Sequence, residues 1–227
     1  MRLLELIRAD LRFLFRYGFI FMYAIFTALY LVLLTLLDDP WKQMVAALLV
    51  FTDPAAMGLF FMGAIIHLEK DERTLHSVAL SPLPLYEYLT SKICSLTLLA
   101  TAVGLVLGFA GGLTHHLWHY LPALILSSVF FTSLALAVAT RTQSLNQFLV
   151  AVIPIELVAN TPLILHLFSV EVPLGILHPA LAYLDLVLYR SHALLSILSL
   201  GLWAGGAFLL GKLELNRYMS TLGGYKR

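Results

Sequence analysis

The residues of this chain able to do chemistry are few, and most gather in one stretch. Glu69, Lys70, Asp71, Glu72, Arg73 and Lys92 place six ionisable groups within 24 positions, with Ser81-Pro82-Leu83-Pro84 between them. Opposite charges packed so closely make ion pairs or a polar docking surface, and they supply no nucleophile beside a base. Isolated polar groups lie elsewhere: Asp53, Glu156 with Asn160 four residues on, Asp185, Arg190, and the run His115-His116-Leu117-Trp118-His119. Neither H-E-x-x-H nor G-x-S-x-G occurs, so two common hydrolase arrangements are excluded. Gly206 to Lys212 fits the phosphate-loop spacing G-x-x-x-x-G-K, but Leu213 stands where Ser or Thr belongs. That motif also sits inside an apolar helix rather than at a strand-to-helix turn, so the chain is expected to bind no ATP itself. The histidines have no cysteine or acid close enough to complete the four ligands zinc prefers. No metal is expected, and they read as boundary residues beside Trp118.

Such sparse charge belongs to a membrane protein. Hydrophobic residues make up 60% and charged residues 12% of the chain, with a mean hydropathy of +0.90, whereas soluble domains carry about a quarter charged residues. The apolar runs are continuous rather than alternating, which predicts helices and excludes a β-barrel. A net charge of +1 gives no reason to expect a nucleic acid as partner. The single cysteine, Cys94, allows no internal disulfide and reads as a small buried hydrophobe. Charges precede the first apolar run, and that run is too long for a signal core, so the first helix is expected to stay on the protein.

Six spans are predicted, at residues 18–37, 43–67, 93–113, 121–140, 147–168 and 193–211. Residues 1–17 read as an amphipathic helix, with Arg2, Glu5, Arg8, Arg12 and Arg16 on one side and Leu4, Ile7, Leu11 and Leu14 on the other. That pattern suits a helix lying in the headgroup layer with its arginines toward anionic lipid, or a cytosolic extension of the first span. Thr52-Asp53-Pro54 should kink or break the second span, and Asp53 can cap the helix that restarts there. Ser81 reads as the N-cap of a short helix, with Pro82 at its first position. Gly104, Gly108 and Gly112, four residues apart, predict a seam where a neighbouring helix comes close. Residues 169–192 carry Pro173, Gly175 and Pro179 and are expected to form short half-helices that dip into the membrane. Lysines and arginines divide twelve to two, with only Lys42 and Arg190 on the outer side. Both termini and residues 68–92 are therefore expected in the cytoplasm.

The order of features in residues 68–92 is a charge cluster ending in Thr74-Leu75, an apolar step, Ser81-Pro82-Leu83, and a helix running to Ser91-Lys92. It resembles the loop between the second and third spans of ABC-2 type transporter permeases, nearest to the short drug-export permeases. Arg73 stands where that family most often has glycine. The resemblance implies an all-α integral membrane protein that serves as the permease subunit of an ATP-driven exporter in a bacterial plasma (inner) membrane. Its substrate would be drug-like or amphipathic, as in multidrug efflux. By the same resemblance residues 68–92 would carry a coupling helix, with Pro82, Leu83, Leu85, Tyr86, Tyr88 and Leu89 docking on an ATPase. Glu69, Glu72 and Arg73 would lie at the membrane boundary, where salt bridges transmit the push. The chain would bind no cofactor; ATP and Mg would sit in two copies of a separate ATPase subunit. A second permease copy, identical or closely related, would complete the path across the lipid bilayer.

Glu156 lies about nine residues into the fifth predicted span, roughly 14 Å deep at 1.5 Å per residue. A carboxylate there costs at least ~2.5 kcal/mol, so it must face protein or a water-filled cavity. With Asn160 on its face it is either a polar spot on the translocation path or one end of a structural hydrogen bond. Asp53 stands between helix capping and a path role, while Asp185 and Arg190 read as interfacial anchors. The alternative to an ABC permease is an ATP-independent, ion-coupled secondary carrier, with Glu156 as the coupling group and the kinked spans at its site.

Overall fold

The computed structural model describes residues 2–52, 56–81, 83–168, 170, 172–173 and 175–222. Among these residues there is no strand, and ten α-helices follow in order. They are α1 (Arg2–Arg16), α2 (Phe19–Thr35), α3 (Trp41–Val50), α4 (Ala56–Asp71), α5 (Thr74–Leu80), α6 (Leu85–Ala110), α7 (Leu117–Arg141), α8 (Leu145–Leu167), α9 (Pro179–Leu184) and α10 (Ala193–Thr221). By length and composition four stretches can cross a bilayer: Leu85–Ala110, Thr114–Arg141, Leu145–His166 and Ala193–Thr221. A fifth is the pair α1 and α2, bent by 67° at their junction, where Gly18 takes a left-handed φ of 79°. The chain is an all-helical membrane protein. Residues 43–67, expected as one interrupted span, are divided between α3 and α4, and Asp53 with Pro54 lies outside the described residues.

The packing is that of a bundle meant for lipid. Large apolar side chains point outward, among them Phe21, Ile25 and Leu29 on α2, Val150 and Leu157 on α8, and Leu194 and Leu202 on α10. The interior holds small and hydroxyl residues, most of all on α7, which packs against α4, α6 and α10. Ser127, Ser128, Thr132 and Ser133 of α7 are fully buried. Two of these donors are absorbed within the helix, Ser127 Oγ by the Ala123 carbonyl and Thr132 Oγ1 by that of Ser128, both at 2.7 Å, while Ser128 Oγ donates across to Thr97 of α6 at 3.4 Å. Without a hydrophobic driving force between helices in lipid, close approach of this kind must supply the cohesion. A Cβ on Gly104 would lie 2.6 Å from Leu124, so the predicted seam is real at Gly104 and at Gly108, which meets Tyr120. Gly112 is different: it has a φ of +72° just past the end of α6 and takes no part in the seam.

Three boundaries differ from expectation, each for a local reason. α4 continues through the charges to Asp71, because Glu69 and Lys70 find partners and give the helix no cause to stop. The isolated short helix is α5, whereas residues 85–92, expected as a separate coupling helix, are the first two turns of the 26-residue α6. No proline or glycine lies between Pro84 and Gly104, so nothing breaks the helix at Lys92. At the far end, residues 212–221 extend α10 instead of forming a tail, since they too lack a breaker.

Candidate functional site

The charged stretch folds into a buried knot at one end of the bundle. Lys92 Nζ lies 2.6 Å from Glu69 Oε1 and 2.7 Å from Asp10 Oδ1. Ser91 Oγ donates to the other Asp10 oxygen, and the Tyr88 hydroxyl donates to Glu69 Oε2. Lys92 and Glu69 are each 5% exposed. Three elements meet here: Asp10 from α1, Glu69 from α4, and Tyr88, Ser91 and Lys92 from α6. Two further contacts tie α1 and its junction to the same stretch. Tyr17 donates to Glu72 Oε1 at 2.8 Å, a bond that raises the phenol's pKa, and Arg2 stands 3.7 Å from Glu87.

Lys70, one residue on from Glu69, turns to other helices. Its ammonium donates to the carbonyls of Ala139 and Thr142 at 2.7 and 2.8 Å, closing the C-terminal end of α7, where cations are favoured. It also lies 4.5 Å from the centre of the Tyr218 ring on α10. Burial lowers its pKa to about 8. His67 Nε2 and Thr142 Oγ1 are 3.0 Å apart beside it. Glu214 on α10 receives a two-pronged bond from Arg141 at 2.8 and 2.7 Å, and a third from Arg217 at 2.8 Å.

Among the residues expected to couple to an ATPase, exposure separates two groups. Leu85, Tyr88 and Leu89 are buried at 8%, 5% and 1%; in this chain they pack inward rather than offer a docking face. Glu69 belongs to the knot. Glu72, Arg73 and Tyr86 are exposed, Leu83 is half-buried, and Pro82 lies outside the described residues. Arg73 sits between α4 and α5 with φ 57° and ψ 18°, the left-handed conformation that glycine adopts at least cost. The turn survives the substitution that the resemblance flagged. Beyond it, α5 is anchored by buried Leu75 and Ala79 and leaves His76, Ser77 and Leu80 outside, Leu80 at 78%.

Glu156 sits midway along α8, and its described partner is one turn on in the same helix. Asn160 Nδ2 donates to Glu156 Oε1 at 3.2 Å and to its carbonyl at 3.1 Å. At the end away from the knot, Asp185 is a cap rather than an interfacial anchor. Its carboxylate accepts from the backbone amides of Ser191 and His192 at 3.1 and 3.2 Å and from the hydroxyls of Ser191 and Ser196 at 2.5 and 2.7 Å. Those groups lead into the first turn of α10, whose free amides favour an anion. An apolar groove of about 400 Å³ runs between α7 and α10, lined by Phe130, Leu134, Leu202, Trp203 and Leu210. Trp203 Nε1 closes one end by donating to the Leu177 carbonyl at 2.7 Å. Among the described residues no three His, Cys, Asp or Glu side chains meet in a way that could hold a metal ion.

Sequence reasoning named Lys70 in the charged stretch but missed Asp10, Arg141 and Glu214 as members of this constellation. Asp10 carried a signal: it is an acid on the leucine side of an amphipathic helix, where only a buried partner justifies it. Comparison with known proteins gives the following. Residues 1–203 match the fluoroquinolones export permease protein family. Two relatives, each called a fluoroquinolones export permease protein, come from Mycobacterium tuberculosis strains CDC 1551 / Oshkosh and ATCC 25618 / H37Rv. Both are 29% identical over 114 residues, 49% of this chain and 48% of theirs. The matched region of the chain spans about half the length of these relatives.

Proposed function

Because the chain belongs to the fluoroquinolones export permease protein family, we propose that it is the membrane subunit of an ATP-driven exporter of drug-like or amphipathic compounds. It resembles ABC-2 permeases in the order of its charged stretch, and in this reading a separate subunit binds ATP. In this reading α2, the broken pair α3 and α4, α6, α7, α8 and α10 make six spans, with the knot and both termini on the cytoplasmic side of a bacterial plasma membrane. Two ATPase subunits, holding ATP and Mg, bind beneath a pair of permease copies. Glu156, Asn160 and Asp53 stand as path residues.

One observation supports the coupling role above the others. α5 is a short helix outside every candidate span, it is braced on both sides by buried ion pairs and hydrogen bonds, and it leaves Leu80 uncovered. An apolar side chain held rigidly at an end rich in charge calls for a protein partner. The contact surface is the outer side of α5 (His76, Ser77, Leu80) with Arg73 and Tyr86, and not Leu85, Tyr88 and Leu89.

The test is purification of the chain with its ATPase. Leu80→Asp and Tyr86→Asp should release the ATPase while the chain keeps its elution profile and melting temperature. Retention of the ATPase by both variants, or transport by the chain without any nucleotide-binding companion, overturns the reading in favour of an ion-coupled carrier. Orientation is checked separately: with Cys94 replaced by serine, a cysteine at exposed His76 should react with an impermeant reagent only after the cytoplasmic side is opened.

A further inference from the structure

α1 presents two faces that the bundle itself fixes. Leu14 is 1% exposed, and Asp10 is bound to Lys92 and Ser91, so the helix cannot roll about its axis without breaking the buried knot. That rotation leaves Arg8, Arg12 and Arg16 exposed, along with Leu4 at 61% and Phe15 at 75%. Leu4 was expected on the inner side and lies instead on the strip shared by Arg8 and Phe15, at steps of four and seven residues. None of the three arginines forms an ion pair among the described residues, whereas Arg2 has Glu87.

The position of these cations relative to the membrane follows from the bend. α2 is apolar throughout and begins at Phe19, so the chain enters hydrocarbon there. With α2 along the membrane normal, a bend of 67° leaves α1 only about 23° from the membrane plane. At 1.5 Å per residue, the backbone at Arg16, Arg12 and Arg8 then lies roughly 1, 4 and 6 Å outside the hydrocarbon boundary. The headgroup layer on each side is about 5–7 Å thick. All three guanidinium groups therefore reach the level of the lipid phosphates, while Leu4 and Phe15 can turn toward the acyl chains. An acidic protein surface would satisfy the arginines but leave Leu4 and Phe15 without apolar cover.

We infer that Arg8, Arg12 and Arg16 form a binding site for the headgroups of anionic phospholipid, held in register by the Asp10–Lys92–Glu69 knot. The chemistry recognised is a phosphate monoanion carried on a diacyl chain. Its bound position is joined through Asp10 to the stretch that leads into α5. This inference rests on the membrane placement of α1 and α2 and not on the export reading.

The experiment uses the full chain in neutral detergent, titrated with phosphatidylglycerol or phosphatidylcholine, with bound lipid counted by native mass spectrometry. Phosphatidylglycerol should bind in preference, and the preference should shrink as salt is raised. Each of Arg8→Gln, Arg12→Gln and Arg16→Gln should weaken phosphatidylglycerol by about fivefold, and the three together by on the order of 100-fold. Arg2→Gln should change it less than twofold. Arg12→Lys, which keeps the charge, should retain binding, and this comparison holds should the triple variant fail to fold. Equal binding of the two lipids, or a triple variant that folds and still prefers phosphatidylglycerol, overturns the inference. So does displacement of the lipid by inorganic phosphate alone, which would mean a site for a soluble anion. No nucleotide, ATPase or drug is present, so failure here leaves the export reading standing, and ATPase release can be lost without touching this result.

Discussion

Replacing Lys92 by methionine isolates the energetics of the buried knot. Methionine keeps the length and apolar stem of lysine but removes the charge that both Glu69 and Asp10 face at 2.6 and 2.7 Å. The lysine and Glu69 side chains are each 6% exposed and Asp10 15%, so water cannot take over as partner. Breaking one side of a pair buried to this degree costs about 3–5 kcal/mol. For a chain of this size that is a fall in melting temperature of roughly 10 °C. Adding Glu69→Met removes one of the two stranded charges and should restore much of the deficit, as apolar replacement of buried ion pairs does. Thermal unfolding in detergent, followed by size-exclusion fluorescence, reads both variants. A Lys92→Met variant within about 1 kcal/mol of wild type would mean that the knot is solvated and that α1 is not locked to α4 and α6.

Arg73→Gly should stabilise the chain by about 0.5–1 kcal/mol, since glycine meets the left-handed conformation without the Cβ penalty that arginine carries; a lower melting temperature would show that the arginine side chain does more than tolerate the turn. Gly104→Ala should cost about 1–3 kcal/mol, because its Cβ would meet Leu124 at 2.6 Å and force α6 from α7. Gly205→Ala, with nothing within 4 Å of its Cβ, should be neutral or gain up to about 1 kcal/mol. Equal effects of these two alanines in a melting assay would refute the close approach of α6 and α7.

Much of the architecture could be read from composition, because lipid imposes one rule on every span: continuous apolar helix with charge at the ends. α6, α7 and α10 follow it, α8 departs from it at Glu156, and α1 is legible instead by its amphipathic pattern. What escaped was where helices stop. Charge looks like a helix end when its partners are unseen, so sequence alone reads Glu69–Asp71 as loop and ends a separate short helix at Lys92. The helices run on through both stretches because their charges are paired with other elements, Lys92 with Asp10 82 positions away and with Glu69 23 positions away. Long-range pairing of that kind leaves no local periodicity to detect. Exposure failed for the same reason: Tyr88 and Leu89 look like a surface ridge until Glu69 and α1 cover them. Arg73 is the converse case, since its place beside the charge cluster and before Thr-Leu marked a turn that the backbone does make.

The two grips of α4 decide how the end of the bundle can move. Glu69 and Lys70 are neighbours, and successive helical residues point about 100° apart, so one turn of helix holds α1 and α6 on one side and α7 and α10 on another. Only Glu72 and Arg73 separate α4 from α5, and Glu72 is itself bonded to Tyr17 at the α1–α2 junction. A force on α5 therefore has no slack loop to stretch; it acts on α4 as a lever whose bearings are buried ion pairs and capped carbonyls. α8 packs on this frame through Phe148, which lies over Gly63 and beside His67 of α4. It joins the same end by the turn at residues 142–144, with Ser144 capping its first amides at 3.3 Å, and it carries Glu156 and Asn160 at its middle. Pro154 and Pro162 each remove an amide from the ladder of α8, so bending within this bundle is expected in α8 rather than in the frame of α4, α6, α7 and α10.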